Sequence, residues 1–296
     1  MTASSPAATT GDGSSRLAPA KVNLCLHVRP PDATGYHPIQ SLVAFADIGD
    51  RLSLRAGPGL VISGPFAAGL GAGSDNLVIR AVRCFEAATF IQVNHGFHLD
   101  KQLPLASGIG GGSADAGAAL RLLRAAYAPD LSDRELEAMA TTLGADGPMC
   151  LWCRPVLAEG RGEKLTPLGL PPVPAVMINP GAACATGDVY RGFDAAEPPP
   201  VADVALAFTA GMSLDALLDA LDGTRNDLQP PAIVLCPVIA DILAGLDAQP
   251  ETRLARMSGS GATCFALCRT DADAVALGRR MQGLWPAAWV RACRLG

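Results

Sequence analysis

The sequence predicts an α+β protein with two mixed halves, and two observations support that fold class. Short apolar segments typical of strands alternate with segments of helical spacing along the whole chain. With 296 residues, of which 49% are hydrophobic, the chain is long enough to bury a large core in one or two domains. We find no internal repeat and no heptad pattern, so the sequence predicts two globular halves rather than a solenoid or a coiled coil.

The first half follows residues 1–15, whose small, polar composition predicts a disordered leader. We expect an N-terminal domain over 16–160. Its predicted strands are "KVNLCLHV", "SLVAFADI", "RLSLRA" and "GFHLD", with a helix from Asn76 before the last of them. A further helix is expected over 114–127. The stretch "SDRE" at Ser132 predicts a capping box that opens the next helix, which ends at Gly144.

The second half, over 161–296, is predicted to be a C-terminal domain. It contains a strand at "PAVMI", a proline-rich connector at "AEPPPVAD", and a helix that begins after Ser213. A closing strand, helix and strand extend from Arg253 to the C-terminus.

Charge and hydropathy exclude several classes of function. The formal net charge is −5 and there is no long Lys/Arg run, which argues against a nucleic-acid or anionic-membrane surface. No apolar run approaches the roughly 20 residues that span a bilayer, and the N-terminus lacks the features of a secretory signal. We therefore expect a cytoplasmic protein with a small-molecule substrate.

The cysteines are predicted to be structural. Nine of them, an odd number, lie in apolar segments, which favours buried free thiols over a disulfide framework. Cys150 and Cys153 form a C-x-x-C pair, but no second pair or histidine follows at ligand spacing.

The stretch "LPLASGIGGGSADA" places glycines and small residues at the start of a predicted helix. A helix N-terminus has unpaired N–H groups and a partial positive charge, so a glycine-rich entry lets a polyphosphate contact the backbone directly. The stretch lacks the Gly-Lys-Ser/Thr of a Walker loop, and a flexible turn is the alternative interpretation of the glycines. The candidate ATP-binding residues are Pro104, Ala106, Ser107, Gly108, Gly110, Gly111, Gly112 and Ser113.

Two charged residues are candidates for the chemistry. Lys21, in "APAKVNL", either faces solvent at the start of a strand or supplies positive charge to a phosphate. Asp146, in "TLGADGPMCL", either caps or pairs structurally or acts as a general base toward a substrate hydroxyl. A second Gly/Ser loop, "RMSGSGATCFAL", precedes a predicted strand.

Together, "APAKVNLCLHV", "LPLASGIGGGSADA" and "MSGSGATCFAL" resemble the three ordered motifs of the GHMP kinase superfamily, and the resemblance extends over about 17–267. The stretches "GYH", "LGADGPMCL", "EGRGEKLTPL" and "NPG" resemble one branch of it. The resemblance implies an S5-like N-terminal and a ferredoxin-like C-terminal domain. It also implies transfer of phosphate from ATP, accompanied by Mg²⁺, to the 2-hydroxyl of a cytidine-diphosphate-linked branched polyol in the non-mevalonate isoprenoid pathway.

The resemblance also implies residue roles. Lys21 and Asp146 fall on the catalytic pair, and Asn23 is expected to contact the polyol. On the cytidine side, the resemblance and the chemistry of stacking point to a small set of substrate-binding residues. These are Tyr36 and Tyr190 around the base, His37 on its edge and Thr186 near the diphosphate.

Two places depart from the family pattern: the stretch "ACATGDVY" ending at Tyr190, which is an unusual sequence there, and the position after "GAD". Gly147 replaces a branched apolar residue after "GAD", which predicts looser packing beside Asp146. No second acid is placed to bind Mg²⁺, so we expect the ion to bind mainly phosphates and water, with Ser113 as one protein ligand.

Three alternatives remain at the level of sequence. Another kinase of the superfamily, acting on homoserine or mevalonate, would not need "GYH" and Tyr190, since those substrates have no base to stack. A nucleotide-binding protein without catalysis would not need Asp146. A nucleic-acid-binding protein is disfavoured by the acidic charge. We expect a monomer or a weak homodimer.

Overall fold

The computed structural model describes residues 14–196, 206 and 208–296. Residues 1–13 of the predicted leader lie outside the described residues, as does the connector "AEPPPVAD" after its first residue. The leader is predicted to end at Ser15, but the structure places Ser15 in the first strand, opposite Ser53.

The described residues form a mixed α+β fold, as predicted. The strands are β1 (Ser15–Asn23), β2 (His27–Val28), β3 (Ile39–Arg55), β4 (Leu60–Ser63), β5 (Gly96–Asp100), β6 (Val156–Gly160), β7 (Lys164–Pro167), β8 (Val173–Asn179), β9 (Leu254–Met257), β10 (Cys264–Leu267) and β11 (Trp289–Leu295). The helices are α1 (Leu77–Thr89), α2 (Gly111–Tyr127), α3 (Asp133–Leu143), α4 (Gly147–Trp152), α5 (Thr186–Ala195), α6 (Leu214–Asp222), α7 (Gln229–Leu235), α8 (Val238–Asp247) and α9 (Asp271–Leu284).

One sheet connects the two halves of the chain. Its order is β4-β5-β3-β11-β8-β10-β9, and β1, β2 and β6 also pair with the long strand β3. The halves meet where Leu295 of β11 pairs with Ala46 of β3, and Gly296 exchanges backbone hydrogen bonds with Phe45. The predicted boundary at residue 160 falls within the hairpin of β6 and β7, which pairs with β3.

The second half has the βαββαβ arrangement of a ferredoxin-like fold. Strands β11, β8, β10 and β9 are adjacent in that order, and each neighbouring pair is antiparallel. Helix α9 connects β10 to β11, and helices α5 to α8 lie in the connection between β8 and β9. This arrangement confirms the predicted closing strand–helix–strand, with β9 as an additional strand.

Three groups of buried apolar residues form the core. One lies in the first half around Phe85, Phe97 and α2, and a second in the other half around Ile239 and Leu277. The third takes residues from both halves, including Leu42, Phe265 and Leu295, so the junction is itself apolar core.

Side-chain caps explain where several predicted helices begin. Asn76 accepts a hydrogen bond from the Val78 amide at the start of α1, and Ser132 forms the predicted capping box with Glu135. Ser213 accepts from the Ala216 amide before α6. Each cap satisfies an amide that lacks an intrahelical partner, which confirms these predicted helix starts.

Two predicted strand patterns differ from the structure. "SLVAFADI" and "RLSLRA" belong to one 17-residue strand, β3. The polar Asp50 between them forms no turn, because its carboxylate accepts from the Gln102 and Leu103 amides. "KVNLCLHV" is interrupted after Asn23, and the strand resumes as β2 at His27.

The nine cysteines are free thiols, most of them buried, as predicted. Burial raises the pKa of Cys150 and Cys153 above that of an ordinary thiol, so both stay protonated at neutral pH. Every helix in the described ranges is too short or too polar to cross a lipid bilayer.

Candidate active site

Two connected cavities form a cleft beside the start of α2. Their volumes are about 900 and about 480 Å³, and Gly108, Gly110, Ser113 and Thr186 line both. Every residue that the sequence predicted for the site lines one cavity or the other. The larger cavity contains Lys21, Asn23, Tyr36, His37, Asp146 and Tyr190; the smaller contains Pro104, Ala106, Ser107, Gly111 and Gly112.

The glycine-rich stretch leads directly into α2. Gly110 is the N-cap residue, has a left-handed φ of 64° and provides no side-chain cap. The first backbone N–H groups of α2 therefore lack intrahelical partners at the point where the two cavities join. This arrangement favours an anion at the helix start.

The three sequence motifs are hydrogen-bonded to one another. The Lys21 amide donates to the Ile109 carbonyl, and Thr263 donates through its hydroxyl to the Ser107 carbonyl. Gly108 lies so close to the second Gly/Ser loop that a Cβ there would lie 2.6 Å from the Gly261 carbonyl oxygen. Backbone contact at this position requires glycine, which explains why both loops are rich in it.

The two serines of the glycine-rich stretch differ in their surroundings. The Ser107 hydroxyl is buried and donates to the Pro104 carbonyl at 2.7 Å, so it closes the loop rather than facing the cleft. Ser113 lines both cavities and is the serine whose hydroxyl is available to a ligand.

Lys21 and Asp146 form an ion pair across the larger cavity. Lys21 Nζ lies 3.2 Å from Asp146 Oδ2, and the side chains are 8% and 37% exposed. Lys21 also donates to Asn23 Oδ1 at 3.2 Å. Asp146 occupies the N-cap position of α4, but its carboxylate makes no capping hydrogen bond. The carboxylate therefore remains available to a group bound in the cleft.

Gly147 allows close packing beside Asp146, whereas the sequence predicted that a glycine here would loosen it. A Cβ at this position would lie 1.9 Å from the Ala140 carbonyl oxygen, so α4 begins in direct backbone contact with α3. A branched residue would push Asp146 away from α3, which makes glycine the residue that fits here.

Asn23 is held by hydrogen bonds on both sides. Its side-chain amide donates to Ser41 Oγ at 2.8 Å, and its backbone amide donates to Ser258 Oγ at 3.1 Å. Asn23 is 4% exposed. Its side-chain oxygen, which accepts from Lys21, is thereby fixed beside the ammonium group.

The predicted cytidine-binding residues lie together in the larger cavity. The rings of His37 and Tyr190 are 4.8 Å apart, and Thr186 Oγ1 lies 2.8 Å from Ser260 Oγ. Burial and the Asp146 charge raise the pKa of Tyr190, which keeps its phenol protonated. Tyr36 is 58% exposed at the rim.

Sequence reasoning missed a buried charged cluster beneath the start of α2. Lys101 Nζ contacts Asp50 Oδ2 at 2.5 Å and Asp115 Oδ2 at 2.8 Å, and all three residues are at most 3% exposed. Burial raises the pKa of Asp115 to about 7 against the opposing effect of the Lys101 ammonium. Burial alone would lower the Lys101 pKa, but the two carboxylates raise it.

Two further residues at the rim were missed. Arg161, in the turn between β6 and β7, lies over the Tyr36 ring at 4.3 Å and contacts Asp32 at 3.1 Å. Asp194 lies 2.7 Å from His37. Asp194 follows Tyr190 by four residues, a helical spacing that signals a shared face, whereas no local pattern connects Arg161 to Tyr36.

The described part of the chain contains no cluster of three or more His, Cys, Asp or Glu side chains that could bind a metal ion by themselves. Near the start of α2, the candidate oxygen ligands are the Ser113 hydroxyl and Asp115 Oδ1, which is buried without a hydrogen-bond partner. This donor set fits a magnesium ion that is bound mainly through phosphate oxygens.

Comparison with known proteins agrees with this geometry. The family model described as GHMP kinases N terminal domain matches residues 76–154, and the one described as GHMP kinases C terminal matches 208–287. A solved homoserine kinase from Cytophaga hutchinsonii ATCC 33406 has a TM-score of 0.69 over 98% of this chain and 97% of its own, at 20% identity. Fold and cleft together define the class as a small-molecule kinase of the GHMP type.

Two relatives identify the family within this class. A 4-diphosphocytidyl-2-C-methyl-D-erythritol kinase from Caulobacter sp. (strain K31) is 52% identical over 95% of this chain and 97% of its own length. A solved 4-(cytidine 5'-diphospho)-2C-methyl-D-erythritol kinase is 36% identical, with a TM-score of 0.77 over 95% of this chain and 99% of that one. The chain belongs to the 4-diphosphocytidyl-2-C-methyl-D-erythritol kinase family.

Proposed function

We propose that the cleft performs the reaction for which the family is named. The chain transfers the terminal phosphate of ATP to the 2-hydroxyl of 4-diphosphocytidyl-2-C-methyl-D-erythritol, giving the 2-phosphate and ADP, in the non-mevalonate isoprenoid pathway. The observation that carries this proposal is the Lys21–Asp146 pair, which lies between an anion-binding helix start and a cavity lined by tyrosine and histidine rings.

The smaller cavity is the ATP side. The unpaired N–H groups at the start of α2 bind the phosphate oxygens, and the partial positive charge of the helix favours them. Backbone contacts between the two glycine loops fix this geometry before ATP binds. Phosphoryl transfer has a loose transition state, so such positioning contributes much of the catalysis.

Asp146 and Lys21 carry out the transfer. Asp146 orients the acceptor hydroxyl toward the phosphate and accepts its proton as a general base. Lys21 holds that carboxylate in place through their 3.2 Å contact and stabilises the charge that develops on the transferred group. Asn23 holds the Lys21 ammonium in place and faces the polyol.

The larger cavity is the acceptor side. Tyr36 and Tyr190 stack on the two faces of cytosine, and His37 reads the hydrogen-bonding edge of the base. Thr186, at the start of α5, contacts the diphosphate together with Ser260. Since homoserine and mevalonate have no base to stack, this aromatic lining favours the cytidyl acceptor.

Magnesium accompanies ATP in this proposal. When bound, the ion neutralises charge on the phosphates, and Ser113 supplies one protein oxygen at the point where the cavities join. Asp115 Oδ1 is the second candidate protein oxygen, and the remaining ligands are phosphate oxygens and water.

The wider setting is also part of the proposal. The acidic charge supports an enzyme that binds no nucleic acid. We also propose that it is cytoplasmic and acts as a monomer or a weak homodimer. The chain has an N-terminal and a C-terminal GHMP domain. The boundary lies after Pro167, because the β6–β7 hairpin pairs with β3 of the first half.

A coupled ADP-release assay with ATP and Mg²⁺ tests the acceptor. We expect ADP release with 4-diphosphocytidyl-2-C-methyl-D-erythritol and only background with homoserine or mevalonate. Release with homoserine or mevalonate instead would assign a different member of the superfamily. Background with all three acceptors would indicate a nucleotide-binding protein without kinase activity.

A further inference from the structure

His37 has a carboxylate partner to which the sequence resemblance gave no role. Its Nε2 lies 2.7 Å from Oδ1 of Asp194, near the end of α5, and both residues lie beside Tyr190 on the acceptor side. The His37 side chain is 11% exposed and that of Asp194 is 44% exposed. The imidazole is therefore the inner member of the pair, and the carboxylate reaches it from the rim.

We infer that Asp194 is a positioning residue that holds His37 in the tautomer with hydrogen on Nε2, and so makes the site select cytosine over uracil. This inference rests on the proposed function, in which His37 reads the edge of the base.

The chemistry of the pair determines which ring nitrogen carries the hydrogen. An ionised carboxylate only accepts hydrogen bonds, so the nitrogen that faces Asp194 must donate. In the neutral imidazole, a hydrogen on Nε2 leaves Nδ1 as an acceptor. Asp194 thus decides the hydrogen-bonding character of the other side of the ring.

Nδ1 is free to meet a ligand. It has no hydrogen-bond partner in the described ranges of the chain, and it is not among the fully buried side-chain atoms without one. His37 lines the larger cavity, and its ring is flanked by Tyr190 and by Phe193, whose centroid is 5.9 Å away. These rings restrict rotation of the imidazole.

Cytosine and uracil differ in the exocyclic group that His37 Nδ1 would contact. The exocyclic amino group of cytosine donates, whereas the corresponding oxygen of uracil only accepts. An acceptor at Nδ1 therefore bonds to cytosine and opposes uracil. With uracil, His37 Nδ1 and the uracil oxygen would face each other as two acceptors without a hydrogen bond. In a half-buried site this should favour cytosine over uracil by about tenfold or more.

The test compares the cytidyl acceptor with its uridyl analogue in the wild type and in Asp194→Asn at pH 8. An asparagine side chain offers either an oxygen or an N–H, so it no longer fixes the tautomer. In the wild type, kcat/KM should be clearly higher for the cytidyl than for the uridyl acceptor. In Asp194→Asn we expect the two values to differ by no more than about threefold, mainly because KM for the cytidyl acceptor rises. Asp194→Glu, which keeps the carboxylate, is expected to restore much of the preference.

A matched control and a spectroscopic measurement separate positioning from a general structural effect. Asp188 lies on the same helix and pairs with Arg191 at the surface, so Asp188→Asn should leave the preference unchanged. The ¹⁵N shifts of His37 should indicate the Nε2–H tautomer in the wild type and a mixture in Asp194→Asn. Only four histidines are present, which makes the assignment practical.

The outcomes distinguish this inference from the proposed function. An active Asp194→Asn with the wild-type preference, or an unchanged His37 tautomer, would overturn the inference and leave the proposed function standing. A wild-type enzyme that does not phosphorylate the cytidyl acceptor would overturn both.

Discussion

At the scale of single residues, the proposed reaction depends on side chains in the cleft whose polar groups are free to contact a substrate. Asp146 occupies a helix N-cap position without capping, and among the described residues its carboxylate pairs with Lys21 alone. The structural carboxylate of Asp50, by contrast, uses both of its oxygens, because Oδ1 accepts from two backbone amides and Oδ2 accepts from Lys101. The unused oxygen of Asp146 is what a general base requires.

Asp146→Asn should lower kcat by about 10²–10⁴-fold while ATP and acceptor binding change little, because the amide keeps the shape and loses the base. Steady-state kinetics and calorimetric titration with ATP measure the two effects. The control is Asp219→Asn, at an exposed aspartate that pairs with Arg253 in the second half. Near-wild-type kcat in Asp146→Asn would remove the residue from the reaction.

Tyr36→Ala should weaken acceptor binding by about 1–3 kcal/mol through lost stacking, which corresponds to a KM increase of about 5- to 150-fold. Phe90, 94% exposed and away from the cleft, offers Phe90→Ala as the matched control. An unchanged KM in Tyr36→Ala would show that the exposed ring does not contact the base.

At the scale of elements, the start of α2 is held from below by the Lys101 cluster. Asp50 comes from β3, Asp115 from α2, and Lys101 from the segment after β5, so one ammonium connects three elements. Lys101 and Asp115 also line the smaller cavity, where Asp115 Oδ1 is a candidate magnesium ligand. The cluster fixes the helix start whose N–H groups are proposed to bind phosphate.

Lys101→Met should destabilise the protein by about 3–5 kcal/mol, because it leaves two buried carboxylates without their cation. Urea unfolding followed by circular dichroism measures the loss. Lys164, which is exposed on β7, provides Lys164→Met as the control with little expected change. Equal stability of the two variants would contradict the structural role of the cluster.

Asp115 should give the wild type a distinctive pH dependence. Burial raises its pKa to about 7 in the folded protein, far above the ordinary value of an aspartate, so the folded state binds more protons than the unfolded state between about pH 4 and 7. This contribution to stability is complete at the low end of that range and is lost as pH rises through 7.

The comparison with Asp115→Asn isolates this effect. The unfolding free energy of the wild type should fall relative to that of the variant from pH 5 to pH 8, since the amide does not titrate. Urea unfolding at four pH values in this range provides the measurement. A constant difference across the range would mean that Asp115 is ionised throughout.

At the scale of the whole molecule, the cleft depends on contacts that the sequence does not display. Local signals predicted the caps, the glycine-rich helix start and the charged candidates, because each involves residues adjacent in the chain. In the Lys101 cluster, Lys101 contacts Asp50, which is 51 positions away, and Arg161 contacts Thr34, which is 127 positions away. No periodicity or composition rule connects such positions.

Contacts between distant residues also explain why the structure has one continuous sheet and one long strand, β3, where the sequence predicted two strands. The sheet is continuous because Leu295, at the end of the chain, pairs with Ala46 in the middle of β3. Gly49 and Asp50 have the composition of a turn, yet β3 continues through them. The Asp50 carboxylate accepts a hydrogen bond from the Gln102 amide in the loop after β5, which holds it within the strand. Tertiary contacts determined these features, and local preference did not.

Phosphorylation at the 2-hydroxyl is tested most directly by the ³¹P NMR spectrum of the product formed from ATP and 4-diphosphocytidyl-2-C-methyl-D-erythritol. The 2-hydroxyl is on a carbon that bears no hydrogen, so its phosphate ester has no three-bond coupling to a proton. We expect one new monoester signal without proton splitting, beside an intact diphosphate. A monoester split by neighbouring protons, or free phosphate with an unchanged acceptor, would contradict it.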